Sequence, residues 1–404
     1  MNRFDTLPAR QPFQAGQLAA AHCCGRAIAA LVLTVIALQA NAQTDPQPAE
    51  TVITPARTAA TPQATAATKP AKTAKPARNA KAEESGITYA ARPEVMQIAS
   101  EIAARRNLDP QWVSQAIGAA RYMPGIAKAI LPPAVGVPKN WALYRSRFID
   151  PVRIKAGVKF WGANRETLER AEAQTGVPAA IVVGIIGVET IYGQQTGTFR
   201  VMDALSTLAF DFPAAHPRAA TRAAYFLSEL EEYLALTART NTDPMALRGS
   251  YAGAMGWPQF MPSSWVKYAV DFDGDGRVDL FHSQADVIGS VANYFKAFNW
   301  KPGVATHYPV SFDLQKLDKA ALLAPDIVPT FTPADFAAKG AVVDAAGMQH
   351  PGLLALIELQ NGSNAPQYVA GTENFYAITR YNWSSYYAMA VIELGREVAA
   401  AMPK

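Results

Sequence analysis

Residues 176–193 read GVPAAIVVGIIGVETIYG, and this stretch decides the fold. Pro178 takes a position favoured at the first turn of a helix, and the apolar residues behind it leave no polar face. Such a helix is buried all round. One charge interrupts it, Glu189, which helical spacing puts on one face with Ile185, Ile186, Tyr192 and Gly193. Gly184 and Gly187 each weaken a helix by roughly 1 kcal/mol relative to alanine, so close approach of another backbone or a ligand is expected there. A buried carboxylate is costly unless paired or protonated. Apolar neighbours favour its protonated form, the state a general acid needs near neutral pH. The competing reading has Glu189 marking a helix end that frays into solvent.

On the N-terminal side of this helix the chain changes character twice. Arg3, Arg10 and Arg26 precede an apolar run from Ala27 to Leu38, and Ala40-Asn41-Ala42 offers the small residues of an export cleavage site. Residues 1–42 therefore read as a signal peptide, the run being shorter than the ~20 apolar residues of a membrane span. Cys23 and Cys24, the 2 cysteines of the chain, lie before that run. Cleavage after Ala42 removes both, so the mature chain has no disulfide and no acylation site. Residues 43–86 are Ala, Thr, Pro and Lys of low complexity and read as an extended tether. The 404 residues leave room for two or three domains, and 50% hydrophobic with 17% charged residues is a globular composition. Segment by segment, the leader has three Arg against one Asp and the tether six basic against four acidic residues. The rest balances at 28 and 28. The basic excess thus lies outside the folded part, which argues against a nucleic-acid partner.

Residues 87–176 follow helical periodicity, with Asp109-Pro110 as a helix start, Pro132-Pro133 as a break and one long helix from Val152 to Gln174 carrying Phe160 and Trp161 as core aromatics. Beyond the Glu189 helix, Arg218 to Arg239 is amphipathic. Its Arg222 reads by default as a solvated surface charge. Residues 250–265, SYAGAMGWPQFMPSSW, crowd turns and aromatics into a tight loop that ends in a helix capped near Ser263. Such a loop, with the single amide Gln259, suits the floor of a polar groove or a purely structural turn.

Residues 271–279, DFDGDGRVD, place oxygens at positions 1, 3, 5 and 9 and Gly276 at position 6, the pattern of an EF-hand calcium loop. The expected ligands are Asp271, Asp273, Asp275, Arg277 through its carbonyl, and Asp279. Position 12 is His282 rather than glutamate, which makes Asp286 the next carboxylate available and the calcium affinity weak. A helix carrying Tyr294 follows. Residues 304–371 read as a small β-region, and a last helix from Trp383 to Ala401 is capped by Asn382.

In order along the chain, GIIGVETIYG, SYAGAMGWPQFMPSSW, DFDGDG, IGSVANYFKAFNW and NFYAITRYN resemble the lytic murein transglycosylase B family, from about Pro93 to the C-terminus. The resemblance implies an α+β, mainly α fold. Residues 87–176 would form a helical domain, 177–303 a lysozyme-like core with the EF-hand-like loop, and 304–404 a small β-region with the final helix. It implies cleavage of the MurNAc–GlcNAc β-1,4 bond of peptidoglycan with formation of 1,6-anhydro ends. Glu189 matches the family's acid/base, and Arg222, Ser250, Gln259, Tyr294, Tyr376 and Tyr381 match residues that line the sugar cleft. It further implies structural Ca2+ without an organic cofactor, and a periplasmic monomer that meets glycan strands and cell-wall synthesis proteins. Two departures stand out. Trp257-Pro258 replaces the frequent Tyr-Gly, and the leader lacks the lipid-acceptor cysteine of the founding members, so lipid anchoring is not expected. Two other readings stay open on sequence: hydrolysis, with Asp203 or Asp211 as a second carboxylate, and a non-catalytic wall-binding protein in which Glu189 is dispensable.

Overall fold

The computed structural model describes residues 86–132 and 138–403. The expected signal peptide, nearly all of the tether and Pro133 lie outside them. Among the described residues no single helix is long and apolar enough to cross a membrane.

The apolar run around Glu189 forms the helix Ala179–Thr190, with every residue from Ile181 to Thr190 buried. Pro178 is its N-cap rather than a first-turn residue. Its partner is the last helix, Ser385–Ala400, and the glycines explain how closely they cross. A Cβ at Gly184 would run into the Val391 carbonyl, and one at Gly395 into the Ala180 carbonyl. The expected close backbone approach is thus present, and it brings Tyr387 against Glu189. The helix cannot continue past Thr190, because Ile191, Tyr192 and Gly193 have φ of 50°, 55° and 83°. The amides of Ile191 and Tyr192 bond back to the carbonyls of Gly187 and Ile186, a left-handed C-terminal turn. Tyr192 therefore does not extend the Glu189 face as helical spacing predicted. Its ring folds back beside Gly157 and Gly187, where a Cβ would meet its hydroxyl.

Helices on the N-terminal side build the wall behind this pair. The single helix expected from Val152 to Gln174 is two, Pro151–Ala163 and Arg165–Thr175, because Asn164 leaves helical geometry at φ −123°. Phe160 is in the core as expected, 5.2 Å from Tyr192. On the other side lie Val201–Phe210 and the long helix Ala219–Arg239. The two-residue strands Phe199–Arg200 and Arg248–Gly249 pair antiparallel and deliver residues 250–260 beside the C-terminus of the Glu189 helix.

Two caps differ from the sequence reading. The helix after that loop is Pro262–Tyr268 with Met261 as N-cap, not Ser263, since Pro262 supplies the preset first-turn φ. The last helix is capped by Ser384, whose hydroxyl accepts from the Tyr387 amide at 3.3 Å. Asn382 instead ends the preceding helix, Glu373–Tyr381. The β-region is a four-stranded antiparallel sheet in the order 341–343, 307–312, 364–371, 355–361. It has a small core of its own around Leu322, Phe336, Leu356 and Ala370, and it leads directly into the helix that carries Tyr376 and Tyr381.

Candidate active site

Glu189 is 5% exposed, and its Oε1 accepts a hydrogen bond from the Tyr387 hydroxyl at 2.5 Å. It is not a frayed end. Burial first, and the Glu189 carboxylate second, push the phenols of Tyr144, Tyr381 and Tyr387 up. A phenol held neutral can only donate to the carboxylate, so Tyr387 orients Glu189 without competing for its proton. The Tyr144 hydroxyl is buried and has no hydrogen-bond partner among the described residues.

From Glu189 a row of rings runs toward Arg222. Tyr387 stacks on Tyr381 at 6.4 Å, and Tyr381 lies 4.8 Å from Tyr294. Tyr225 carries the row to Arg222, whose guanidinium sits 4.9 Å from its centroid. Tyr294 and Tyr381 are buried, and their hydroxyls donate to the carbonyls of Arg380 at 2.6 Å and Pro258 at 2.5 Å. These two expected cleft residues are therefore packed in the core with their hydroxyls bonded to backbone carbonyls. Tyr376 is the more open ring, edge-on to Trp383 at 5.9 Å.

The expected groove residues separate by how far they satisfy themselves. Ser250 is 1% exposed, and its hydroxyl accepts from the amides of Ala252 and Ala254 at 3.2 and 3.0 Å, which closes the loop's first turn. Gln259 has φ 52° and donates to Thr196 and Gly256 carbonyls, yet its Oε1 is buried with no donor. Arg222 is 1% exposed rather than solvated, and Nε and both terminal nitrogens lack an acceptor. Burial lowers it to about 10. The Tyr225 and Phe226 rings, both about 5 Å from the guanidinium, and Tyr251 from the next loop cover it. Buried polar atoms without partners are rare in folded proteins, and among the described residues they include Arg222, Gln259 Oε1, the Tyr251 hydroxyl and both side-chain polar atoms of Asn382.

Asn382, Tyr387 and Tyr144 were missed by sequence reasoning. Asn382 sat where a cap was expected, and the two tyrosines lay in amphipathic stretches that read as core. The two aspartates considered as second carboxylates are occupied elsewhere. Asp203 pairs with Arg200 at 2.8 Å and accepts from the Arg121 amide at 2.9 Å. Asp211 binds Tyr89 at 2.7 Å and Arg92 at 2.9 Å.

In the acidic loop, single carboxylate oxygens of Asp271, Asp273 and Asp286 lie within 4.8 Å of one another. The carboxylates of Asp275 and Asp279 are not part of this group. Asp275 turns to the Arg277 Nε at 3.1 Å, and Asp279 accepts from the amides of Phe281 and His282 at 2.9 Å. Asp286 lies beyond the twelve-residue loop, in the first turn of Gln284–Ala297, and is 1% exposed. It accepts from the amides of Phe272 and Asp279, both at 2.7 Å.

Residues 90–396 match the Transglycosylase SLT domain family. The membrane-bound lytic murein transglycosylase B of Escherichia coli strain K12 is 38% identical over 335 residues, which is 79% of this chain and 86% of that protein. The chain belongs to the lytic murein transglycosylase B family. Solved structures agree with this. The soluble lytic transglycosylase SltB1 from Pseudomonas aeruginosa is 40% identical and superposes with a TM-score of 0.69, over 76% of this chain and 99% of that one. The Escherichia coli lytic transglycosylase Slt35 is 37% identical with a TM-score of 0.67, over 80% and 98%. It has been solved in complex with calcium and in complex with bulgecin A. Family membership thus carries the lysozyme-like fold that the Glu189 helix and its partner build here.

Proposed function

We propose that this protein is a peptidoglycan lytic transglycosylase in which Glu189 acts first as acid and then as base. Protonated Glu189 donates to the O4 of the leaving GlcNAc as the MurNAc C1–O4 bond breaks and an oxocarbenium-like centre develops. The resulting carboxylate takes the proton of the MurNAc C6 hydroxyl, whose oxygen bonds to C1. No water is consumed, and Glu189 ends as it began. An internal nucleophile has a high effective molarity and needs no second carboxylate to activate water. The observation that carries this reading is a buried Glu189 that accepts from the Tyr387 hydroxyl, while the two aspartates weighed as second carboxylates, Asp203 and Asp211, are each held by an arginine.

The orphaned donors and acceptors are suited to the amide and hydroxyl groups of a glycan strand. Arg222 and Asn382 would donate to carbonyl oxygens, Gln259 Oε1 would accept from an acetamido N–H, and Tyr376 would stack on a sugar face. Ser250, Tyr294 and Tyr381 support them from behind. Asp271, Asp273 and Asp286 fit a hard divalent cation, since they converge three carboxylates, one of them fully buried, on one point. Calcium there would cancel their mutual repulsion and stabilise the fold. The arginine-flanked apolar run and Ala-Asn-Ala site support export to the periplasm as a non-lipidated monomer, where glycan strands and cell-wall synthesis proteins are at hand.

The deciding experiment is mass spectrometry of sacculus digests. Products lighter by one water than hydrolytic muropeptides are expected, and reducing ends in their place would make the enzyme a hydrolytic muramidase.

A further inference from the structure

We propose that Trp257 is a positioning residue that ties the acidic loop to the Glu189 end of its helix. A cation in the loop and a glycan in the groove then strengthen each other's binding. The inference rests on the reading that Asp271, Asp273 and Asp286 hold a divalent cation.

The connection is a continuous set of short hydrogen bonds. Asp286 clasps both limbs of the loop through the amides of Phe272 and Asp279. Asp279 fixes the exit turn through the Phe281 and His282 amides. That turn aims two carbonyls away from the loop and onto one residue: Leu280 accepts from the Trp257 amide at 2.9 Å, and Phe281 accepts from the Trp257 indole Nε1 at 3.0 Å. The Trp257 carbonyl accepts from the Thr190 hydroxyl at 2.9 Å, and Thr190 is the residue after Glu189. The same hydroxyl accepts from the Gly193 amide at 3.0 Å, and the indole lies flat against Gly193, where a Cβ would collide with the ring. The neighbouring Pro258 carbonyl holds the Tyr381 hydroxyl, which faces Glu189. Thr190 and Leu280 are fully buried, which shields the Trp257 end of the relay from water.

Without a cation the three carboxylates repel at close range, and spreading the loop relieves them. Spreading moves the Leu280 and Phe281 carbonyls that hold Trp257, and Trp257 in turn holds the turn that closes the Glu189 helix. The two arrangements of the loop are therefore two arrangements of the glycan site, and linkage makes the effect reciprocal.

The test is calorimetric titration of calcium into the mature chain carrying Glu189→Gln, with and without a saturating GlcNAc–MurNAc tetrasaccharide. The glycan is expected to tighten calcium binding about fivefold, and calcium to tighten glycan binding by the same factor. Trp257→Phe keeps the ring but deletes the Nε1 donor. It is expected to bind calcium while the mutual effect falls to the order of twofold or less. Thr190→Val should uncouple the sites in the same way and Thr190→Ser should restore them, which carries the test should Trp257→Phe fold poorly. Undiminished coupling in both Trp257→Phe and Thr190→Val overturns the proposal. Calcium binding indifferent to glycan in the parent overturns this relay alone, whereas no calcium binding at all overturns the cation reading and the relay with it.

Discussion

Two buried arginines are treated in opposite ways. Arg153, bonded to the Glu189 helix, is 8% exposed and engaged through Nε and Nη1. Its Nε donates to the Gly187 carbonyl at 3.1 Å, and Nη1 to the Arg147 carbonyl and Asp150 carboxylate, both at 2.7 Å. Arg222 is 1% exposed and lies against two rings, with no acceptor for any nitrogen among the described residues. A guanidinium in such a position is costly, and the cost falls when a ligand supplies the acceptors. On the function proposed above, the protein completes its own hydrogen bonds at Arg153, which serves the fold, and leaves them open at Arg222 for a ligand to complete.

The largest effect expected is at Glu189 itself. Glu189→Gln should cut muropeptide release about a thousandfold while leaving the melting transition nearly in place, because the change is isosteric and removes only the transferable proton. Residual turnover above about a tenth of wild type would sink the acid/base role. Arg153→Leu should next destabilise the chain by about 3 kcal/mol in urea unfolding, since it strands a buried carbonyl and Asp150. Arg222→Leu should break the symmetry: stability unchanged or higher within about 1 kcal/mol, with KM raised about tenfold, equivalent to about 1.4 kcal/mol of lost binding. Were both arginine variants to lose stability equally, the contrast would be wrong and Arg222 a structural residue.

Calcium offers a test at a third place where charge is left uncompensated. A ligand bound only to the folded chain adds about 1.4 kcal/mol at tenfold excess over Kd. Weak affinity, of the order of 10⁻⁴–10⁻³ M, puts the rise in melting temperature at millimolar calcium. Chelator or Asp271→Ala with Asp273→Ala should remove it.

A last effect, seen only on acidification, concerns His307, which burial and Arg396 depress to about 4. The unfolded chain takes up this proton near pH 6.5 and the folded chain only near 4, so the unfolded state binds more protons between those values. Stability is therefore lost as pH falls through that window, by about 1–2 kcal/mol. His307→Gln should flatten that part of the pH profile of urea unfolding.

The sequence spoke most clearly where a local rule was broken. A carboxylate in an apolar helix, and aspartates crowded around glycines, conflict with folding unless they serve chemistry, and Glu189 and the acidic loop were legible for that reason. Asp286 was reached only as the next carboxylate past a missing glutamate. Periodicity alone left Arg222 solvated, because its burial depends on Tyr251 from a loop that helical spacing cannot see. The Tyr387 contact to Glu189 was hidden for the same reason, since it arises from the crossing of two helices far apart in sequence. The two-helix break at Asn164 and the left-handed turn at Ile191 were hidden for a different cause: neither residue type advertises such a conformation, and tertiary packing imposes it.

That crossing has a consequence for how the enzyme comes into being. Glu189 and Tyr387 are separated by 198 positions, and Tyr387 sits in the first turn of the final helix. A chain emerging from the ribosome carries Glu189 long before it carries the phenol that bonds it or the backbone that packs over Gly184. On the function proposed above, an enzyme that cuts the cell wall should stay inert until its last helix has docked. Any truncation ahead of Ser385 should yield a bystander rather than a hazard.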